Sequence, residues 1–470
     1  AWDYILGDNS GPLGRPVSMA SFVLEKLLLD GELETSKRVN ILLHLCNGAL
    51  VIWLFWLLFR FVATPGYRFL ALALGAAWML SPLYVSTVLY VVQRMAMLST
   101  TFMLCSCICY CYWREKLRLE TFSVGLLALL AMLVLLAVFA KENAVVVIPI
   151  LLLLEALWFQ FVGGNGQTIR WLKRTTLGLI AFGGVTVLFV LVLDWDGLAA
   201  AFQRRYFTLD ERLLTQSRIL WDYVSQLYSP DVLRMGLYHD DVVVSTSLNQ
   251  PSTTRFAIMA WLGVLVLFMV ALFWRWGRYL ALGVAWFAVG HSIEAGVFSL
   301  ELYFEHRNYF PGVGLFLLLG ALYAWFVRRW PLTAPPLLVY LACYGLWLAS
   351  LTASQVTIWS SQPLLVLNNL NAHPNSHRAN ADMAVQLANA GAIDQAREYS
   401  AKAYSLSVAG ERSGDHDIRD LALACIANQP VSPDQIRRLG TDNPARPFGS
   451  VVTLQTMVHL LQDNACPGFD

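Results

Sequence analysis

Five basic clusters recur along this chain, and apolar runs of membrane-spanning length lie between them. They are Arg60/Arg68, Arg114/Lys116/Arg118, Arg170/Lys173/Arg174, Arg275/Arg278 and Arg328/Arg329. Lys and Arg accumulate in the cytoplasmic turns of membrane proteins, so all five are expected on one side. The connections between them then face the other side, and these hold the ionisable and aromatic residues. Apolar residues make up 57% of the 470 and charged ones 14%, a balance that excludes a soluble domain. The fold class expected is an all-α polytopic membrane protein.

Ten segments come near the roughly 20 apolar residues that a span needs. They lie at 37–62, 68–81, 92–113, 121–140, 143–162, 175–194, 256–275, 278–298, 310–328 and 335–352. The second is short and stops at Ser81-Pro82, as a re-entrant or interfacial segment would. The domain division follows: 1–36 a first outer loop with a short amphipathic helix after Pro16; 37–194 six spans; 195–255 a large outer loop; 256–352 four spans; 353–470 an outer tail. An outer loop at the start implies a preceding helix, so eleven or more spans are expected in the intact protein. Cys466-Pro-Gly-Phe-Asp470 closes no recognisable element, so the end also reads as cut.

The tail is Ala-, Asn- and Asp-rich. Residues 376–407 predict a helical hairpin, with Ala379, Ala381, Ala384, Leu387 and Ala388 near helical spacing, a turn at Gly391, and Ala396, Ala401 and Ala403 continuing it. That pattern is similar to a tetratricopeptide unit. Such a unit buries its apolar face on a neighbour, and helices expected at 415–428, 432–440 and 449–463 would supply one. An unrelated helical tail is the plainer alternative.

Cys105, Cys107, Cys109 and Cys111 alternate between helix faces, so one tetrahedral metal site cannot collect them, and they read as small buried hydrophobes. Cys425 and Cys466 lie in the outer tail, where an oxidising compartment permits a disulfide. The net charge of +1 gives no reason to expect a nucleic-acid partner.

The outer connections carry five polar groups. In the first loop Gly11-Pro-Leu-Gly-Arg15-Pro16 would form a tight turn fixing Arg15 against the bundle, with Asp3 and Asp8 upstream. Gln93-Arg94 opens a span on the outer side, where an Arg is not favoured by the charge rule. Its planar fork suits phosphate, and snorkelling is the alternative. Lys141-Glu142-Asn143 interrupts an apolar run, where each charge costs about 2.5–3.5 kcal/mol unless it is partnered or wet. Adjacent helical residues do not face one another, so each needs its own partner; a solvated turn is the alternative. His239-Asp240-Asp241 in the large loop could orient a sugar, act as general base or hold a divalent cation, or simply form a turn. Glu301, Glu305, His306, Arg307, Asn308 and Tyr309 form the densest ionisable group at any outer connection.

Cations on the outer face of a bundle suit a lipid-linked phosphate donor, because their attraction grows as charge develops on the leaving phosphate. A carboxylate can take the acceptor hydroxyl's proton. The chain has no Gly-rich phosphate loop, and such a transfer needs no nucleotide.

Taken in order, Gly-Pro-Leu-Gly-Arg15-Pro16, Asn40 and His44, Pro82 to Gln93-Arg94, Lys141-Glu142-Asn143, His239-Asp240-Asp241 and Glu305-His306-Arg307-Asn308-Tyr309 resemble bacterial GT-C-type membrane glycosyltransferase-like proteins with tetratricopeptide tails. These look like relatives of the eukaryotic transmembrane O-mannosyltransferases that carry such repeats. The resemblance implies a GT-C-like helical bundle, a large outer cavity, a polyprenyl-phosphate sugar donor and an inverting transfer. It also implies a catalytic Asp in the first outer loop. That region is short here, and neither Asp3 nor Asp8 matches its position closely, which puts the activity of the chain from Ala1 in doubt. Carried over, Arg15, Arg94, Lys141 and Arg307 become donor-phosphate contacts. Asp3, Asp8, Glu142, Asp240 and Glu305 become candidate catalytic carboxylates, and His239, Asp241, His306 and Tyr309 acceptor-orienting groups. No resident cofactor is expected, a divalent cation being the one candidate.

The function expected is transfer of a sugar from a polyprenyl-phosphate carrier to a protein or envelope-glycan acceptor outside the cytoplasm. The setting expected is a bacterial inner membrane, with the active face and tail in the periplasm and the tail recruiting a protein partner. The alternatives are an envelope oligosaccharide ligase or polymerase, and a non-enzymatic transporter or assembly scaffold.

Overall fold

The computed structural model describes residues 13–203, 205–407 and 415–426, with isolated positions beyond them. It is helical throughout, and among the described residues there is no strand, only isolated bridges at Val162/Thr168 and Ser247/Gln250.

The helices run in order. α1 is Pro16–Leu28, α2 Leu33–Phe61, α3 Tyr67–Met79, α4 Val85–Leu89, α5 Arg94–Arg118, α6 Val124–Ala140 and α7 Val147–Leu153. α8 is Arg170–Leu193, α9 Trp195–Ala200, α10 Leu209–Tyr228, α11 Thr253–Ala271, α12 Arg275–His291, α13 Gly312–Arg329 and α14 Ala334–Trp359. In the tail, α15 is Gln362–Ala372, α16 His377–Asn389, α17 Ile393–Leu406 and α18 Asp415–Ile426.

Seven helical stretches among the described residues are long and apolar enough to cross a membrane, so the chain has the build of a multi-pass membrane protein. An eighth is the pair Tyr67–Met79 and Pro82–Leu89, bent by 47° where Ser81-Pro82 breaks the helix. The other two of the ten expected segments are 17-residue helices, α6 and α12, below the length of the rest. α14 runs on to Trp359, past the expected boundary at 352.

The basic turns gather at one end of the bundle. Arg60 pairs with Glu115 at 3.5 Å, Arg118 sits 4.7 Å over the Phe61 ring and Arg328 donates to the Ala63 carbonyl at 3.0 Å. Arg114 differs from its neighbours in being fully buried, 2.6 Å from Glu155, which also accepts from Tyr110 at 2.7 Å. A π-helical turn over Leu154–Phe159 places that carboxylate.

Lipid offers no hydrophobic drive between helices, so close backbone approach matters. A methyl on Gly75 would sit 2.3 Å from Ile52 Cγ1 and 3.1 Å from its Cα, which locks α3 onto α2. A methyl on Gly283 would meet the Gly314 carbonyl oxygen at 2.7 Å, which does the same for α12 and α13.

In the tail α16 and α17 form the hairpin, turning at Gly391 with φ 80°. Ala388 and Ala396 pack with Leu423 of α18. The helices expected at 432–440 and 449–463 lie outside the described residues. Cys425 is disulfide-bonded, and Cys466 lies outside the described residues. The four cysteines of α5 are free.

Candidate functional site

At the end opposite the basic turns, a cavity of about 700 Å³ draws residues from separate stretches of the chain. The turn before α1 gives Arg15, the α4–α5 segment Ser86, Tyr90 and Gln93, and the break after α6 Lys141, Glu142 and Asn143. The large loop gives Gly236 to Tyr238, the α12–α13 connection Glu294 and Phe304 to Arg307, and the tail Arg378.

Local structure explains each arrival. Gly14 and Arg15 are both left-handed, at φ 69° and 49°, before Pro16 at the first position of α1. This conformation is uncommon for Arg and turns its side chain onto Glu142 Oε2 at 3.0 Å. α6 ends at Lys141, whose extended backbone (φ −158°, ψ 130°) separates the two neighbouring charges. Lys141 Nζ reaches Glu294 Oε1 at 3.0 Å, and Asn143 Nδ2 donates to the same oxygen at 2.9 Å. Lys141 and Glu142 thus have separate partners.

The connection 294–304 is held by one amphipathic helix, α10, which starts in a Thr208/Glu211 capping box. Buried Arg212 donates to the carbonyls of Glu294 at 2.7 Å and Gly296 at 2.9 Å. Gln216 donates to Leu302 O at 2.7 Å, and Tyr223 Oη bridges Phe304 N and O at 3.0 Å each. A guanidinium satisfied by carbonyls fixes backbone shape, and nothing local in the sequence announces it.

Arg307 is buried at 6% exposure and lines the cavity. Among the described residues its side chain donates one hydrogen bond, to Leu302 O at 3.1 Å, and has no carboxylate within ion-pair distance. It lies 5.2 Å over the Phe304 ring. Beside it burial pushes the His306 imidazole well below its ordinary value, and the Lys141 charge adds to the effect.

Glu305 is enclosed. Ser86 Oγ donates to it at 2.6 Å and Gly236 N at 2.9 Å, with His239 Nε2 at 3.3 Å. Among the cavity carboxylates the side-chain exposures are 20% for Glu142, 9% for Glu294 and 5% for Glu305, so Glu142 is the most accessible.

Five expected site residues lie outside the lining of this cavity. Arg94 is 1% exposed and faces away, 2.5 Å from Glu25 and 2.8 Å from Asn40 Oδ1. Tyr309 does not line the cavity; its hydroxyl lies 2.7 Å from His44 Nδ1 and accepts from Asn47 at 3.3 Å. His239, Asp240 and Asp241 diverge rather than converge on one ion or sugar. His239 turns to Glu305, Asp240 to His377 at 2.7 Å and Asp241 to His373 at 2.7 Å. Asp240 also accepts from Ser376 Oγ and His377 N, at 2.6 and 2.9 Å, and so caps α16. Burial works against its ionisation, but the His377 and Ser376 hydrogen bonds and the His377 and Arg378 charges outweigh it and hold the carboxyl below the usual range. Tyr238 donates to Asp382 at 2.8 Å. This stretch therefore clamps the tail. Asp3 and Asp8 lie outside the described residues.

Among the described residues no three His, Cys, Asp or Glu side chains are grouped to hold a metal ion. Fold and site together define a multi-pass helical membrane protein with a charged cavity at the end opposite its basic turns, to which the helical tail contributes Arg378. The chain matches no family model, no curated protein and no solved structure.

Proposed function

We propose that the protein is a membrane glycosyltransferase with a GT-C-like bundle. It moves a sugar from a polyprenyl-phosphate carrier to a protein or envelope-glycan acceptor. The observation that carries this reading is Arg307: a buried guanidinium lining the cavity, with one carbonyl partner and no carboxylate. A buried cation with spare donors is a built anion site, and its fork suits phosphate. Arg15 and Lys141 stand in the same cavity.

In the transfer the acceptor oxygen bonds to the anomeric carbon as the bond to the phosphate oxygen breaks. The phosphate leaves with the electron pair, and the cations stabilise its growing charge. The acceptor's proton passes to a carboxylate, for which accessible Glu142 is the choice among the described residues. Glu305, His306 and Glu294 position the walls.

The sidedness belongs to the same proposal: basic turns in the cytoplasm of a bacterium, cavity and tail in the periplasm. The Cys425 disulfide supports an oxidising side for the tail. The hairpin supports a tetratricopeptide-like module that presents a partner or acceptor to the cavity. The test is the glycan mass on envelope proteins of cells carrying Arg307→Ala. Loss of a glycan is expected, and unchanged glycosylation counts against the reading.

A further inference from the structure

A second cavity, of about 650 Å³, lies on the far side of the 300–305 segment. Phe304 is extended (φ −150°, ψ 131°), so neighbouring side chains alternate: Phe304 lines the first cavity and Tyr303 the second. The two chambers share this thin wall, and His239, which lies 3.3 Å from Glu305, lines the second.

One wall of the second cavity is Thr253, Phe256, Ala257 and Ala260, a single face of the membrane-spanning helix α11. Seven residues of helix rise about 10 Å, so the chamber descends two turns beside the bilayer. Phe256 is 57% exposed there, and the Trp221 and Trp261 rings lie 4.6 Å apart at the same level, as interfacial aromatics do. Above this apolar floor stand Arg218, Arg234 and His373. Arg218 Nη1 is braced by Val243 O at 2.8 Å and Ser245 Oγ at 3.2 Å. Arg234 is paired with Asp222, the one carboxylate lining the chamber among the described residues, which also accepts from Tyr303 at 2.8 Å. His373 holds Asp241 on Nδ1, and its buried Nε2 has no hydrogen-bond partner among the described residues.

We infer that this chamber binds the phosphate headgroup of a membrane lipid, acyl chains along α11 and phosphate against Arg218, Arg234 and His373. An apolar floor continuous with a bilayer-facing helix and a cationic roof match an anionic amphiphile. A soluble anion would leave the floor unused. With Asp241 on Nδ1, Nε2 is left to pair with a phosphate group. The inference stands apart from sugar transfer, since either site can fail without the other.

The test is lipid retention. The full chain is purified from vesicles of phosphatidylcholine doped with phosphatidylglycerol, and bound lipid is measured by mass spectrometry. Wild type is expected to retain phosphatidylglycerol in preference to phosphatidylcholine. Arg218→Gln with Arg234→Gln should cut that preference roughly tenfold. Ala260→Trp, which fills the floor and leaves the charges, should do the same and decides the matter if the double variant does not fold. In a second arm polyprenyl monophosphate replaces phosphatidylglycerol; preferential retention that survives Arg307→Ala in the first cavity and falls in the Arg218→Gln, Arg234→Gln variant identifies the carrier lipid as a source of the same headgroup. Equal retention of phosphatidylcholine in both arms, or preference unchanged in the variants, overturns the inference.

Discussion

Lys141 Nζ lies 3.0 Å from Glu294 Oε1, tying the break after α6 to the α12–α13 connection across 153 positions of sequence. Their side chains are 13% and 9% exposed, so neither charge is well hydrated. Removing one partner strands the other. Lys141→Met should lower unfolding stability by about 3–5 kcal/mol, and Lys141→Met with Glu294→Gln by clearly less. Thermal unfolding in detergent reads both.

Arg307 and Arg94 should separate cleanly. Arg307→Ala removes a cavity cation and should cut sugar transfer about 10²–10³-fold, with a stability loss near 1 kcal/mol from its carbonyl bond. Arg94→Gln breaks the buried pair with Glu25 and should lower the melting temperature of the bundle. Transfer assays normalised to folded protein make the distinction. Equal effects of the two on transfer at unchanged stability would contradict it.

His306 gives a pH prediction with a definite sign. Burial holds its native value well below the ordinary imidazole value, so the native state binds fewer protons than the unfolded chain. Stability should therefore fall as pH drops below about 6.5, until the native ring itself protonates. His306→Gln should flatten that part of a melting-temperature profile. Asp240 acts oppositely in origin. Its lowered value means its contribution is complete above about 3.9 and is lost only as pH falls below the usual carboxylate range.

Asp240→Asn should loosen the tail while sparing the bundle. The carboxylate joins His377, Ser376 and the start of α16, and charged hydrogen bonds of this kind contribute about 1.5–3 kcal/mol. Hydrogen exchange should rise across α15 and α16, with α2, α5 and α13 unchanged.

At Gly75 an added methyl would meet Ile52 Cγ1 at 2.3 Å and the Ile52 Cα and N at 3.1 Å, so turning the side chain aside still leaves a tight backbone contact. Gly75→Ala should cost about 1–3 kcal/mol by overpacking α2 against α3, visible in thermal unfolding.

The spans, the break at Ser81-Pro82, the helix after Pro16 and the hairpin turning at Gly391 were legible because each depends on local pattern: apolar length, a missing N–H, a left-handed glycine. The need of Lys141 and Glu142 for separate partners was legible too, from the cost of a charge among apolar residues. Their partners, Glu294 and Arg15, were not, because nothing local encodes a pairing across such separations. The partners of Arg94 and Asp240 were illegible for the same reason. An Arg at the outer end of a span reads alike whether it meets phosphate or Glu25, and a loop Asp reads alike whether it takes a proton or caps α16. Arg212 carried no signal beyond lying among the buried-face positions of an amphipathic helix.

The most direct measurement is a structure of the protein with bound polyprenyl monophosphate. The account predicts phosphate density within hydrogen-bond reach of Arg307, with Lys141 and Arg15 around it. Phosphate held elsewhere, with the Arg307 cavity empty at saturating lipid, would contradict it.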